Sequence, residues 1–346
     1  MERRVRLGAM VMGILGAAVI RGQLRAAALS DSALVEARNK AASCLARDFD
    51  GRAFRDPYLT YVYPDERLPT PAGPAVEPGF TYRAIDANIM LVLLKREGSI
   101  PPSLQPAVDR AGQVLRKLPR LWNGRGFSNV RRSPRTDGIA LDTFCIVGWL
   151  ESDRSMAQAA AQARDGDAWL PEELYDGEQR FRRDADECWC LRLLTSLGND
   201  GIGSARRVLD RVISDFRSSR REDPSGRQTF YAAYHLGLLL AESEDLGNAV
   251  DPAALRAEVE EALETWAAAR PAGREQASDI LEWANLATSK LPGLERTGLR
   301  RRSLEVILRY QSADGCWRVP GAEPPQAGSS FLTLRALLAL SSYREP

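Results

Sequence analysis

One histidine, His235, stands in 346 residues. That count excludes a metal site built on several imidazoles and any triad with a histidine to spare. Net charge is nearly absent as well. Forty-seven Lys and Arg against 46 Asp and Glu leave +1, so no global field draws the chain to nucleic acid or to an anionic membrane. Cysteine is scarce and odd in number: Cys44, Cys145, Cys188, Cys190 and Cys316 lie far apart except for the Cys-Trp-Cys pair. Without framework spacing, these read as mostly buried thiols, not as a disulfide scaffold. The two thiols of Cys188-Trp189-Cys190 fall on different helix faces, unlike a redox Cys-x-x-Cys, and are assigned to packing. The chain also lacks any alternating strand pattern after residue 30, and any apolar run of the about 20 residues that span a bilayer.

The longest apolar run is near the start. Residues 1–30 place a basic MERRVR before a 14-residue apolar stretch, Leu7 to Ile20, with Ala26-Ala27-Ala28 offering small residues where a peptidase could cut. This fits a secretory leader or a membrane anchor, and predicts a protein exported or held at a membrane through its N-terminus. A plain N-terminal helix in a cytoplasmic protein is the alternative.

What is present after residue 30 is helical period. Apolar residues recur at three- and four-residue spacing, predicting helices over 31–47, 81–97, 103–118, 138–151, 184–197, 204–217, 227–241, 252–268, 277–290, 295–310 and 330–342. Segments such as AIDANIMLVLL, ALDTFCIVGWL, TFYAAYHLGLLL and FLTLRALLAL are far more apolar than RRVLDRVISDFRSSRR or LRAEVEEALETW. That alternation predicts an inner ring of helices inside an outer ring that faces water. Glycine-plus-aromatic turns recur between them: DFDGRAF, WNGRGF, DGDAW and ADGCW. Glycine accepts positive φ in such a turn, and the aromatic can fold back over the hairpin end. Aligned by their apolar steps, the inner helices put Asp86, Asp142, Asp186, Tyr231, Asp279 and Thr333 in one column at intervals of 44 to 56 residues. One helical hairpin per repeat, six times, makes an all-α (α/α)6 toroid, with residues 31–346 as one domain.

The C-terminal stretch QSADGCWRVPGAEPPQAGSSFLTLRALLAL, with Gln311, Gly315 and Trp317, resembles the repeat of terpenoid cyclases and protein prenyltransferases. Those families carry glutamine, glycine and tryptophan at this spacing, ahead of an inner helix of the same toroid. The full pattern occurs once, and DGDAW and WNGRGF are degenerate copies. Class II terpenoid cyclases protonate an isoprenoid with the central aspartate of Asp-x-Asp-Asp, and Asp184-Ala185-Asp186-Glu187 is similar. The resemblance implies Asp186 as proton donor, tuned by Asp184 and Glu187, in a cavity that also receives Asp142 and Asp86. Carboxyls crowded in an apolar cavity cannot all ionise, so one keeps its proton. Tyr82, Trp189, Tyr231 and Tyr234 would line that cavity. It departs from the family in size, since cyclases of this class place the site between two helical domains. Protein prenyltransferases bind zinc through an aspartate, a cysteine and a histidine, to which Asp186, Cys188 and His235 are similar. His235 lies a turn deeper than that pattern wants, so no metal and no other cofactor is expected.

Each of these residues has a structural reading too. Acids in a first helical turn favour the helix dipole, and Asp184 could be an N-cap. Arginines crowd the loops entering the inner helices: Arg83, then Arg132 and Arg135, then Arg183. On one rim they could clamp a diphosphate or a uronic-acid carboxylate, or they could pair with the aspartates. Three functions stay open at this point: an isoprenoid cyclase, an exported carbohydrate-active toroid (hydrolase, lyase or epimerase), and a non-catalytic scaffold. In the first two the partner is a small molecule or an oligosaccharide.

Overall fold

The computed structural model describes residues 31–51, 54, 82–98, 100–117, 141–164, 168–169, 180–243, 246, 250–318 and 330–343. Residues 1–30, where a leader or anchor is expected, therefore lie outside the described residues. Within them the chain is all-α, with no strand and an isolated bridge between Phe49 and Phe54. Among the described residues no helix is long and apolar enough to cross a membrane.

The helices are α1 (Asp31–Asp48), α2 (Tyr82–Arg96), α3 (Gln105–Lys117), α4 (Leu141–Glu151), α5 (Arg154–Gln162), α6 (Arg180–Leu194), α7 (Asn199–Ser204), α8 (Arg206–Glu222), α9 (Arg227–Leu240), α10 (Pro252–Ala268), α11 (Ile280–Thr288), α12 (Pro292–Arg296), α13 (Leu299–Arg309) and α14 (Ser330–Ser342). Two kinds alternate. In α4 every residue from Leu141 to Gly148 is buried, and α14 buries ten of its residues between Phe331 and Ser341. Helices apolar on all sides belong in an interior. By contrast α8 buries one stripe, Val208, Leu209, Val212, Ile213 and Phe216, and turns its arginines to solvent or to partners. The stripe follows the three- and four-residue step of one helical face.

Neighbour relations respect the same division. Helix α2 touches α4, α4 packs on α6, α6 on α9, α9 touches α11, α11 packs on α14, and α14 packs on α2. Each of these also carries an amphipathic partner: α1 on α14, α3 on α2, α5 on α4 and α6, α8 on α6 and α9, α10 on α9, α13 on α11. Local sequence sets two of the outer starts. Asp153 accepts from the Ser155 and Met156 amides at the head of α5, and Asp251 accepts from Ala253 and Ala254 ahead of Pro252 in α10. Both are side-chain N-caps, the second with proline at the first helical position.

The recurring turns have a common job. The Trp169 indole donates to the Ala160 carbonyl (2.7 Å), and the Trp317 indole to the Ile307 carbonyl (2.9 Å). In each case the turn's aromatic folds back on the preceding helix, α5 or α13. The C-terminal copy does more, because it meets the start of the chain. Gln311 donates to the Ala37 carbonyl (2.9 Å) and to the Gly315 carbonyl (3.0 Å), and Cys316 is disulfide-bonded to Cys44 across 272 positions. Mostly buried thiols are what the chain has, since Cys145, Cys188 and Cys190 are free and buried, but the spacing gave no sign of the one disulfide that joins α1 to the last turn. Gly315 has φ +88° and lies against the Lys40 backbone, so a Cβ would collide with that carbonyl. Gly315→Ala is expected to cost about 2–4 kcal/mol, from the forbidden φ and the clash together. Thermal unfolding measures it, and an unchanged midpoint would refute this account of the turn.

Candidate functional site

Helix α6 begins at Arg180, four residues before the acids. Asp184 is therefore not its N-cap, and Asp184, Asp186 and Glu187 stand inside the helix. Helical spacing then separates them. Residues three apart share a face, so Asp184 and Glu187 point together, while Asp186, two residues on, points away. The shared face is the one that meets α8. Glu187, fully buried, pairs with Arg211, and Arg183 pairs with Asp215 (2.7 Å) and approaches Asp184 (3.6 Å). This is an ion-pair network between two helices with little access to solvent. Burial, reinforced by the nearby Asp215, raises the Asp184 carboxyl to about 8, and burial raises Glu187 as well, against the pull of Arg211. Asp184, whose proton is held up to about 8, faces α8. Arg183, expected on an open rim, is buried in the same network.

Asp186 keeps partial exposure on the other side of α6, as does Trp189 one turn later. The Trp189 ring is edge-on to Trp149 (5.7 Å) and to His235 (6.4 Å), and the Arg192 guanidinium lies 4.0 Å over its face. Arg192 also covers Trp149 at 4.3 Å and pairs with Glu242. One cation thus already occupies the indole faces expected for a substrate.

On α9 a stripe of three residues, Tyr231, His235 and Leu238, remains partly accessible while the rest of the helix from Thr229 to Leu240 is buried. Their spacing of four and three is a single helical face. The Tyr231 hydroxyl donates to Glu282 of α11 (3.1 Å), whose same oxygen receives the Arg227 guanidinium (2.6 Å). Glu282 is fully buried, and its second oxygen has no hydrogen-bond partner. Burial, with the Glu282 charge adding to it, raises the Tyr231 phenol above its ordinary range. Burial first, then the nearby Arg192 and Arg335, lowers His235 to about 3, so its imidazole is neutral at physiological pH. Tyr234 lies against His235 (5.3 Å), stacks on Phe230 (6.2 Å) and meets Thr288 (3.4 Å); it is a core residue.

The rest of the predicted column divides. Asp142 is buried, and its carboxylate accepts from the Thr143 amide (2.6 Å) and hydroxyl (3.2 Å) at the head of α4. Thr333 is buried and holds the Trp317 amide (3.0 Å). Asp279 stands at the N-cap position of α11 without a side-chain capping bond and pairs with Arg270 (2.9 Å), and the buried acid of this segment is Glu282, three residues on. Asp86, Tyr82 and Arg83 lie on α2 with side chains outside the described residues, and Arg132 and Arg135 lie outside them altogether. Asp186, Cys188 and His235 do not converge as ligands. Among the described residues the one trio within 4.8 Å is Cys44, Asp48 and Cys316, whose sulfurs are bonded to each other.

Sequence reasoning passed over Arg227, Glu282 and Arg335. The signal was available: Glu282 and Arg335 are lone charges inside apolar segments, ILEWANLAT and FLTLRALLAL. No family model, no curated protein and no solved structure matches the chain.

Proposed function

We propose that the helices close into an (α/α)6 toroid, and that its centre is the reaction site of an exported enzyme acting on saccharide chains. The cyclic order of packing, from α2 through α4, α6, α9, α11 and α14 back to α2, supports the ring. The Cys44–Cys316 disulfide supports export, since such bonds persist in oxidising compartments. The observation that carries the reaction is the accessible stripe of α9. It sets a phenol, hydrogen-bonded to a buried carboxylate, one turn from a neutral imidazole. A phenol and an imidazole of this kind can give and take protons at a C–O or adjacent C–H bond. In this reading Tyr231 moves the proton, Glu282 and Arg227 fix its ring, and His235 polarises the substrate beside it.

Isoprenoid cyclisation, with Asp186 as donor, is the second reading, favoured by the partial exposure of Asp186 and Trp189 on α6. Two facts weigh against it. The acids meant to tune Asp186 are committed to α8, and the cations Arg192 and Arg335 lie close enough to depress His235, where a carbocation would be repelled. The deciding experiment offers wild type, Tyr231→Phe and Asp186→Asn to neutral and uronic-acid polysaccharides, prenyl diphosphates and squalene. Turnover of a saccharide that falls about 10²–10⁴-fold in Tyr231→Phe is the expected result. Turnover of an isoprenoid that vanishes in Asp186→Asn would establish the cyclase instead. No turnover of any substrate by the wild type would leave a binding scaffold.

A further inference from the structure

Two side-chain oxygens on successive turns of α11 have no donor among the described residues. Glu282 is fully buried, and Arg227 and Tyr231 share its Oε1, which leaves Oε2 without a hydrogen bond. Asn285, 3% exposed, has a buried side-chain oxygen in the same condition. Such atoms are rare in folded proteins, because an acceptor taken out of water without a donor costs stability.

Contacts fix where the two oxygens lie. Glu282 meets Tyr231 of α9 at 3.1 Å, and Thr288 meets Tyr234 at 3.4 Å. Asn285 stands between Glu282 and Thr288 at three-residue steps, in the middle of the arc that α11 turns to α9. The opposing face of α9 carries Tyr231, Tyr234, His235 and Leu238 at helical spacing. These two helices only touch, whereas α9 packs on α6 and α10. The seam is not sealed along its length: Tyr231, His235 and Leu238 on α9, and Leu281 and Thr288 on α11, are partly accessible.

Charge decides what the seam can take. Arg227 already matches Glu282, so an ammonium group would bring a charge without a counterpart, and an anion would meet a carboxylate. The two oxygens call for neutral donors. Side chains three apart on a helix stand about 5–6 Å from each other, a separation that one sugar ring covers with its own hydroxyls.

We propose that Glu282 Oε2 and the Asn285 side chain bind hydroxyls of a neutral sugar unit that enters the seam between α9 and α11, beside Tyr231. This rests on the saccharide reading above and narrows it to a neutral sugar at this point of the chain. It gives Asn285, which no proton-moving step requires, a binding role.

The test is calorimetric titration of the full-length protein with neutral oligosaccharides of glucose, mannose and xylose, and with uronic-acid oligosaccharides. Wild type is compared with Asn285→Leu and Asn285→Ala, which remove the polar end with and without keeping the bulk. The wild type is expected to bind a neutral sugar, and both variants to bind it at least about tenfold more weakly. A second readout needs no variant: among monodeoxy forms of that sugar, at least one should bind the wild type about tenfold more weakly than the parent. Without ligand, at least one variant should unfold at the wild-type temperature or higher, since an unpaired polar group has left the interior. The subsite is overturned if the variants bind the neutral sugar as the wild type does, or if every monodeoxy form binds as well as the parent. It is overturned too if both variants unfold well below the wild type, because the amide is then held from within, by the protein or by a buried water. If the wild type binds uronic-acid chains and no neutral sugar, the subsite falls and the saccharide reading stands. If it binds no saccharide, both fall.

Discussion

Reduction of the Cys44–Cys316 disulfide, or its removal as the Cys44→Ser/Cys316→Ser pair, is expected to cost about 3–5 kcal/mol of unfolding free energy. The bond spans 272 positions, and the loss of loop-closure entropy from the unfolded chain grows with the logarithm of that span, reaching about 5 kcal/mol here. Part is returned on reduction. The Arg47 guanidinium is 3.2 Å from the Cys316 sulfur and 3.7 Å from that of Cys44, contacts that do not depend on the bond. The reduced protein also keeps Gln311 on the Ala37 carbonyl and the close approach of Gly315 to Lys40, so α1 is loosened but not released. For a chain of this length the midpoint should fall by about 4–7 °C. Scanning calorimetry with and without reductant reads this directly. A midpoint unmoved by reductant, or five free thiols found by mass under non-reducing conditions, would remove both the staple and the argument for export drawn from it.

The disulfide was not legible in the sequence, and the reason is general. Cys44 and Cys316 come together only because α14 packs on α1, a long-range consequence of the whole arrangement that no local spacing encodes. Local signals fared better. The period of the apolar residues places α9, α10 and α14 within a residue of their observed ends, since caps and turns bound them. It misses α5, RSMAQAAAQ, whose stripe is only alanines and one methionine and whose start is fixed by the Asp153 cap. The site shows the same division. The alignment by apolar steps singles out Tyr231, but by choosing Asp279 in the next apolar segment it passes over Glu282, the carboxylate that the Tyr231 hydroxyl meets. Asp184-Ala185-Asp186-Glu187 was read as one crowd of acids because it is contiguous, though a helix sends the two outer acids one way and Asp186 the other.

That separation leads to the second large effect. Asp184→Asn should flatten the dependence of stability on pH and leave the protein more stable than wild type at pH 8. Burial has raised this carboxyl from 3.8 to about 8. Between those two values the folded state holds a proton that the unfolded state has released, so stability falls as pH rises through the window. One proton over the whole interval sets a limit of about 5–6 kcal/mol; with Arg183 relaxing toward the ionised form, about 3 kcal/mol between pH 4 and pH 8 is expected. Glu187, also raised, adds a slope of the same sign. Asparagine keeps the shape and does not titrate, so urea unfolding at pH 5 and pH 8 should differ far less in the variant. A variant less stable than wild type at pH 8 would show that the carboxylate is ionised and held by Arg183. The two outcomes also bear on chemistry. An acid that keeps its proton against α8, sealed from solvent, lowers stability at neutral pH without access to a substrate. If Asp184→Asn is more stable and equally active, the three acids of α6 reduce to a buried helix–helix network and one outlying residue, Asp186, and the proton-moving groups are to be sought on α9.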